Sequence, residues 1–129
     1  CCYFYLCIRY GCFVQFLPGY CLLLPDPVVA SLNDLDAEAR AIYLLDMARL
    51  GDAVLAATGA LRMNYEILGN SEPELHCHIF PRYASEPEGK RKMPVWFYDW
   101  KTAIPYAEDQ HGELRNTIAQ LLKSAMEAG

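Results

Sequence analysis

The residues best suited to chemistry lie in one short run, Glu74-Leu75-His76-Cys77-His78-Ile79-Phe80. Polar and apolar residues alternate in this run through Ile79, and alternate residues of a β-strand share one face of a sheet. A strand here predicts Glu74, His76 and His78 on one polar face. Two residues of strand rise would place the imidazoles about 6–7 Å apart. Because imidazoles act as nucleophiles, proton carriers and metal ligands, this pair favours a functional site over a lone core histidine.

The same three residues form a Glu-x-His-x-His pattern, and all three side chain types bind metals. A metal protein built this way normally brings another histidine from a distant strand. The only other histidine, His111, is predicted on a helix. A metal site is therefore the last-ranked hypothesis, and we expect no metal and no other cofactor.

A second run just upstream, Asn64-Tyr65-Glu66-Ile67-Leu68-Gly69-Asn70-Ser71, is suited to binding an anion. Gly69 allows the backbone to approach a ligand closely. Asn70 and Ser71 offer short neutral donors that can hydrogen-bond phosphate oxygens. Taken alone, the run is more typical of a turn held by local bonds between side chains and backbone.

The elements that must position these residues follow from periodicity and turn signals. Strands are predicted over Tyr3–Ile8, Cys12–Leu17, Tyr20–Leu24, Asn64–Leu68 and Leu75–Phe80, with Pro81 closing the last. Asp36–Thr58 has helical spacing and ends at Gly59. A second helix from near Asp109 carries an apolar stripe of Leu114, Ile118, Leu121, Leu122 and Ala125. Strands and helices that do not alternate strictly indicate an α+β fold.

Length and charge limit the function classes. The 129 residues make one domain, assigned to 1–129, and the formal net charge is -5. An acidic domain has no broad surface for neutralising phosphates, so we expect no general nucleic-acid binding. Residues 10–25 carry no charge, but Arg9, Gln15 and Pro18 interrupt the apolar N-terminal region. Strands are therefore favoured over a membrane span or a secretory signal.

Cysteines are concentrated at one end of the chain. Five of the six lie in the first 21 residues: Cys1, Cys2, Cys7, Cys12 and Cys21. An even number permits disulfides in a secreted protein, but disulfide scaffolds spread their cysteines, and no C-x-x-C pair supports a zinc site. Free, buried cysteines in a reducing, cytoplasmic compartment are the favoured interpretation.

Together these features resemble a known family. The stretch NYEILGNSEPELHCHIFPRY, from Asn64 to Tyr83, resembles the signature region of the histidine triad (HIT) superfamily, and more narrowly its bacterial diadenosine-tetraphosphate-hydrolase-like branch. Leu17–Pro25 resembles the strand before that family's first helix. The segment PVWFYDW and the helix near Gln110–Arg115 resemble the same branch's C-terminal tail. The resemblance covers roughly residues 17–122.

The resemblance implies a HIT-like antiparallel sheet of about five strands with two main helices. It also implies a homodimer formed by joining two sheets, and hydrolysis or transfer of nucleotidyl groups. By this likeness His76 is the nucleophile and His78 the third histidine of the motif. Asn64, Asn70 and Ser71 then stand where the family binds ribose or phosphate. The expected substrates are dinucleoside polyphosphates or related nucleoside phosphates and phosphoramidates, cleaved through a nucleotidyl-His76 intermediate.

The sequence departs from the pattern at Glu74, which replaces the first histidine of the triad. An ionised carboxylate there would repel substrate phosphates, whereas a buried, protonated one would serve as an acid. The alternative function is therefore a catalytically weak nucleotide-binding module. Arg82 and the run Lys90–Lys92 are candidates for contacting a polyphosphate tail, although such a run is more typical of a solvated loop. Trp96 and Trp100 are candidates for stacking on a base or packing on the core.

Overall fold

A computed structural model describes residues 2–5 and 15–128, with side chains for 15–128. The described strands form one antiparallel sheet in the order β1-β2-β4-β3. Their bounds are β1 Cys2–Tyr5, β2 Cys21–Pro25, β3 Arg62–Ile67 and β4 Cys77–Arg82. Strand β4 is thus central, between β2 and β3.

Two long helices, α1 (Ala37–Thr58) and α3 (Glu108–Ala128), pack on the same side of the sheet. A single helical turn forms α2 (Glu88–Arg91). Asp36 caps α1 by accepting a hydrogen bond from the Ala39 backbone N–H at 2.8 Å. Gly59 ends it in the left-handed conformation at φ 69°, which favours glycine. Inside α1, Gly51 allows close contact, since a Cβ there would lie 1.9 Å from the Tyr65 hydroxyl.

The two faces of the sheet bury different side chains. Cys77 and Ile79 of β4 face a core shared with both long helices, which includes Tyr43, Leu50 and Ile118. The opposite face packs a smaller core: Leu17, Tyr20, Leu22, Leu24, Phe80 and Val95. Because strand residues alternate, His78 lies on this second face, beside Phe80. The sheet therefore separates a helix-covered side from a side that presents a histidine.

The α+β class and both helices are confirmed. About five strands were expected, and the described residues form four. Of the predicted strand Cys12–Leu17, Cys12–Val14 lie outside the described residues, and Gln15–Leu17 form no strand. Residues 6–8 of the first predicted strand also lie outside them. PVWFYDW contains a 3-10 turn, Val95–Phe97, and no strand.

The histidine strand was predicted at Leu75–Phe80, but β4 runs from Cys77 to Arg82, two residues later in the chain. Pro81 does not close the strand. The Arg82 carbonyl accepts from the Leu61 N–H on the β3 side, so the backbone of Pro81 faces the β2 side. Pairing with β2 ends at Cys21↔Ile79, and a proline is tolerated where no partner needs its N–H.

Candidate functional site

His76 lies immediately before β4, on the segment that leads into the strand. Its ring Nδ1 is 2.6 Å from the Glu74 backbone carbonyl oxygen. A carbonyl only accepts, so Nδ1 carries a hydrogen, and in the neutral ring the lone pair is on Nε2. The prediction that Glu74, His76 and His78 all lie on the strand was wrong for Glu74 and His76, because β4 begins at Cys77. The His76 ring instead bonds the backbone carbonyl of Glu74, two residues earlier.

His78 lies on β4 itself and is half-buried. Its ring centroid is 4.9 Å from that of His76, with the planes at 75°, closer than regular strand spacing predicts. Its Nδ1 is 2.6 Å from the Tyr20 hydroxyl oxygen. Burial, and next the charge of His76, lower the pKa of His78 from 6.5 to about 4. The side chain is therefore neutral at pH 7.

Aromatic rings surround His78. It stacks on Phe80 at 5.7 Å and on Tyr20 at 6.0 Å between centroids. Trp96 meets it edge-on at 5.3 Å and stacks on Trp100 at 5.0 Å. The Trp96 indole N–H donates to the carboxylate of Glu66, the residue opposite His78 on β3. These contacts hold the imidazole in one orientation, and they show that both tryptophans pack on the smaller core.

Glu74 is exposed. The burial on which a protonated, acid-donating Glu74 depended is therefore absent, and that expectation was wrong. Its main chain has a definite place in the site, because its carbonyl holds the ring of His76. A backbone carbonyl is available from any residue type, so replacing the first triad histidine leaves this bond possible.

Asn64 lies on β3 opposite Phe80, on the same face as His78. Its amide oxygen accepts from Arg82 Nη1 at 2.8 Å. Arg82 is buried and pairs with Glu86, with Nη2 3.0 Å from Oε1. Burial opposes ionisation of Glu86, but hydrogen bonds from Arg82, from Tyr98 and from the backbone outweigh it and lower its pKa. The structure thus gives Arg82 a role in holding Asn64.

Asn70 and Ser71 lie on the loop between β3 and β4, and both are exposed. The loop leads through Glu74 to His76. The structure therefore brings His76 and His78 together, places Asn64 on the same face as His78, and carries Asn70 and Ser71 on the connecting loop.

The described residues contain neither a metal-binding cluster nor a membrane-spanning helix. Within residues 15–128, no group of three or more His, Cys, Asp or Glu side chains is arranged to hold a metal ion. Helices α1 and α3 each exceed 18 residues, but no described helix is apolar enough to cross a membrane.

Comparison with known proteins identifies the family. Residues 15–85, more than half of the chain, match the HIT domain. The chain belongs to the HIT domain family. No curated protein matches it.

Solved structures agree with this HIT assignment. A histidine triad protein from Marinobacter aquaeolei is 26% identical, with a TM-score of 0.69, over 81% of this chain and 74% of that one. One from Sinorhizobium meliloti is 25% identical, with a TM-score of 0.67, over 78% and 73%. A third, from Bradyrhizobium japonicum, shares the fold at a TM-score of 0.74 and 22% identity, over 85% and 79%.

Two residues of this HIT domain site were missed from the sequence. Tyr20 was placed on a strand with no polar role, because a tyrosine in an apolar run is typical of a core residue. Its hydroxyl partner, His78, is 58 positions away. Glu66 was likewise given no role, and its alternation with Asn64 on a strand was the available signal.

Proposed function

We propose that this HIT domain binds nucleotides and hydrolyses or transfers nucleotidyl groups, as in the diadenosine-tetraphosphate-hydrolase-like branch. The substrates are dinucleoside polyphosphates or related nucleoside phosphates and phosphoramidates. The observation that supports this most strongly is the bond from His76 Nδ1 to the Glu74 carbonyl. In the neutral ring this bond puts the lone pair on Nε2, as a nucleophile requires.

The reaction proceeds in two displacements at the α-phosphorus. His76 Nε2 gives its lone pair to phosphorus, and the bond from phosphorus to the leaving group breaks, with that group keeping the electron pair and taking up a proton. A water oxygen then attacks the nucleotidyl-histidine. The P–N bond breaks, its electrons return to Nε2, and the water loses a proton. Both steps need donors for the phosphoryl oxygens and no metal ligand from this chain.

His78 is such a donor. With the Tyr20 hydroxyl donating to Nδ1, the neutral ring carries its hydrogen on Nε2. We assign this tautomer because a phenol is a stronger donor than acceptor. A neutral N–H stabilises a phosphoryl oxygen without also attracting the Glu74 carboxylate.

We assign the remaining predicted residues to substrate binding. Asn70 and Ser71 supply donors to phosphate from the loop before His76. Asn64 binds ribose or phosphate through its amide nitrogen, because its oxygen is held by Arg82. Arg82 acts on the substrate through Asn64. Glu74 contributes its carbonyl, and its side chain faces the approaching phosphates.

The second candidate is a nucleotide-binding module with weak turnover. The observation that favours it is the exposed carboxylate of Glu74, two residues before the nucleophile. Repulsion between unit charges a few ångströms apart is about 1 kcal/mol in water, or about fivefold in a rate or binding constant. On this account, Glu74→Gln raises kcat/KM about fivefold.

The experiment measures diadenosine tetraphosphate hydrolysis and, separately, AMP binding by calorimetry. The enzyme hypothesis expects turnover in the wild type, loss of turnover by at least about a hundredfold in His76→Ala, and near-normal turnover in His111→Asn. The matched control is chosen because Asn keeps an acceptor for the Ala107 N–H that His111 Nδ1 binds at 2.8 Å. AMP binding with weak wild-type turnover that rises about fivefold in Glu74→Gln identifies the binding module with weak turnover. Failure of both measurements contradicts both candidates.

We also propose that the protein forms a homodimer through its sheet. Strand β3 lies at one edge of the described sheet. Tyr65 on that strand and Leu68 just beyond it are 39% and 45% exposed. Light scattering during gel filtration tests this, and a mass of one chain at micromolar concentration contradicts it.

The cytoplasm is the proposed location. Cys21 and Cys77 are buried free thiols, as expected for cysteines that act as small apolar residues. Burial raises the pKa of Cys77 to about 12, which makes it unreactive. The side chains of Cys1, Cys2, Cys7 and Cys12 lie outside the described residues. Imaging of the tagged full chain in living cells tests the location.

A further inference from the structure

A cavity of about 490 Å³ lies on the same sheet face as His78, on the far side of Phe80 from that histidine. Its volume is in the range of small-molecule sites. Four cationic residues line it, Arg62, Arg82, Arg91 and Lys92, against one carboxylate, Glu66. In a chain of net charge -5, this concentration of positive charge has no explanation in the fold alone.

The cross-strand register sharpens this observation. Arg62 and Arg82 are direct partners on β3 and β4, and like charges directly opposite each other destabilise a sheet. Glu86 compensates Arg82. Within residues 15–128, Arg62, Arg91 and Lys92 form no ion pair. Three cations at the cavity therefore remain available to an external anion.

Arg82 also builds the wall of the cavity. Its side chain is 9% exposed, and Nη2 donates to the backbone carbonyls of Lys90 and Arg91 at 3.1 and 3.4 Å. These bonds dock the end of α2 on the sheet. They place Arg91 and Lys92 at the cavity, opposite Arg62.

The cationic end of this cavity is separate from the histidines, although Asn64, assigned to the nucleotide in the proposed function, also lines the cavity. Three pairs of the β3–β4 ladder lie between the pair Glu66↔His78 and the pair Arg62↔Arg82. Four residues of β4 correspond to about 13 Å. Trp96 contacts both His78 and Phe80, so it lies over the part of the sheet between these two pairs.

We propose that this cavity is a second anion site, which binds an oligophosphate chain through Arg62, Arg91 and Lys92. Guanidinium groups match phosphate oxygens by paired hydrogen bonds, and the lysine adds a mobile charge. The same chemistry is found in a free inorganic oligophosphate and in the phosphate tail of a nucleotide. The site does not depend on nucleotidyl transfer at His76.

The test titrates the full chain with inorganic tripolyphosphate by calorimetry. The double variant Arg62→Gln/Lys92→Gln is expected to bind about tenfold more weakly or worse, because charge-assisted hydrogen bonds are lost. The matched control, Lys101→Gln/Lys123→Gln, removes the same charge from exposed residues outside the cavity and is expected to bind as the wild type does. His76→Ala is also expected to bind normally. All three variants alter exposed or half-buried residues, and thermal melts verify folding.

Equal affinity in the cavity variant and its control overturns the proposal, since bulk charge would then explain binding. Loss of binding in His76→Ala overturns it too, because the anion would then lie at the histidines. An ATP titration in the His76→Ala background identifies the source. Weaker ATP binding in the cavity variant indicates a nucleotide tail, and unchanged ATP binding with weakened tripolyphosphate indicates a free oligophosphate.

Discussion

Two histidines of the same strand region acquire different chemistry from their hydrogen-bond partners. His76 bonds a backbone carbonyl through Nδ1, which fixes its hydrogen there. His78 bonds the Tyr20 hydroxyl through its own Nδ1, within a group of aromatic rings. In the proposed reaction, the first ring offers a lone pair at Nε2 and the second a hydrogen, so the pair supplies both a nucleophile and a donor.

Tyr20→Phe tests this division, because it removes the hydroxyl that selects the tautomer of His78. A lost hydrogen bond of about 1 kcal/mol predicts a fall in kcat of about fivefold. The ¹⁵N spectrum of His78 should show a mixture of tautomers. Tyr43→Phe is the matched control, since the hydroxyl of Tyr43 bonds the Leu23 carbonyl on the helix side of the sheet at 3.0 Å. An unchanged His78 spectrum in Tyr20→Phe would contradict the assignment.

The lowered pKa of His78 predicts a pH dependence of stability. The unfolded chain, with an ordinary pKa near 6.5, binds a proton at this site between pH 6.5 and 4, and the folded protein does not, since its pKa is about 4. The free energy of unfolding should therefore rise with pH across this window and level off above it. Urea unfolding from pH 4 to 7.5 measures this. His78→Gln should show a shallower slope, and equal slopes in the two proteins would count against the burial of a neutral His78.

The choice of His76 and His78 as candidate residues was possible from the sequence because two imidazoles at i and i+2 are conspicuous. The partners that set their tautomers were not predictable. The Glu74 carbonyl is main chain and has no sequence signal, and Tyr20 is remote along the chain. Residue types indicated the candidate site, whereas a main-chain contact for His76 and a long-range contact for His78 set the ring tautomers.

At the scale of elements, the connection after β4 is held by one buried network. Arg82 Nε and Nη2 contact Glu86, which also accepts from the Tyr83 N–H at 2.7 Å and the Tyr98 hydroxyl at 2.7 Å. Burial, and next the bond to Glu86, raise the pKa of Tyr98 to about 12. The network joins β4, the segment before α2 and the aromatic segment that carries Trp96.

Glu86→Gln should therefore be costly. Breaking a buried ion pair from one side leaves the other charge uncompensated, at about 3–5 kcal/mol. Chemical denaturation measures the loss, and Glu88→Gln, an exposed residue of α2, is expected to change stability by less than about 0.5 kcal/mol. A small effect of Glu86→Gln would show that Arg82 finds other partners.

Element types were predictable and their bounds only partly so. Apolar periodicity and the stop at Gly59 fixed α1 to within one residue. The histidine strand was predicted two residues early because alternation continues through Leu75 and His76, although the ladder begins at Leu23↔Cys77. Pro81 was wrongly predicted to end the strand. Whether a proline ends a strand depends on which neighbouring strand its backbone faces, and the sequence does not show the order of the strands.

At the scale of the whole molecule, the two faces of the sheet have different roles. One face is covered by α1 and α3 and supplies the main core. The other carries His78, Asn64, the tryptophans and the cationic cavity. The compatibility of an acidic chain with a local phosphate site stays a prediction. The distribution of positive charge could not be predicted, because the run Lys90–Lys92 is brought opposite Arg62 only by the fold.

The central claim is that His76 becomes covalently nucleotidylated. The direct measurement is to incubate the full chain with diadenosine tetraphosphate, quench it in base, where a phosphoramidate survives, and map the modified peptide by mass spectrometry. The account predicts an adenylyl group on His76, absent in His76→Ala and present in His111→Asn. An unmodified His76 in protein that turns over the substrate, or an adduct that persists in His76→Ala, would contradict it.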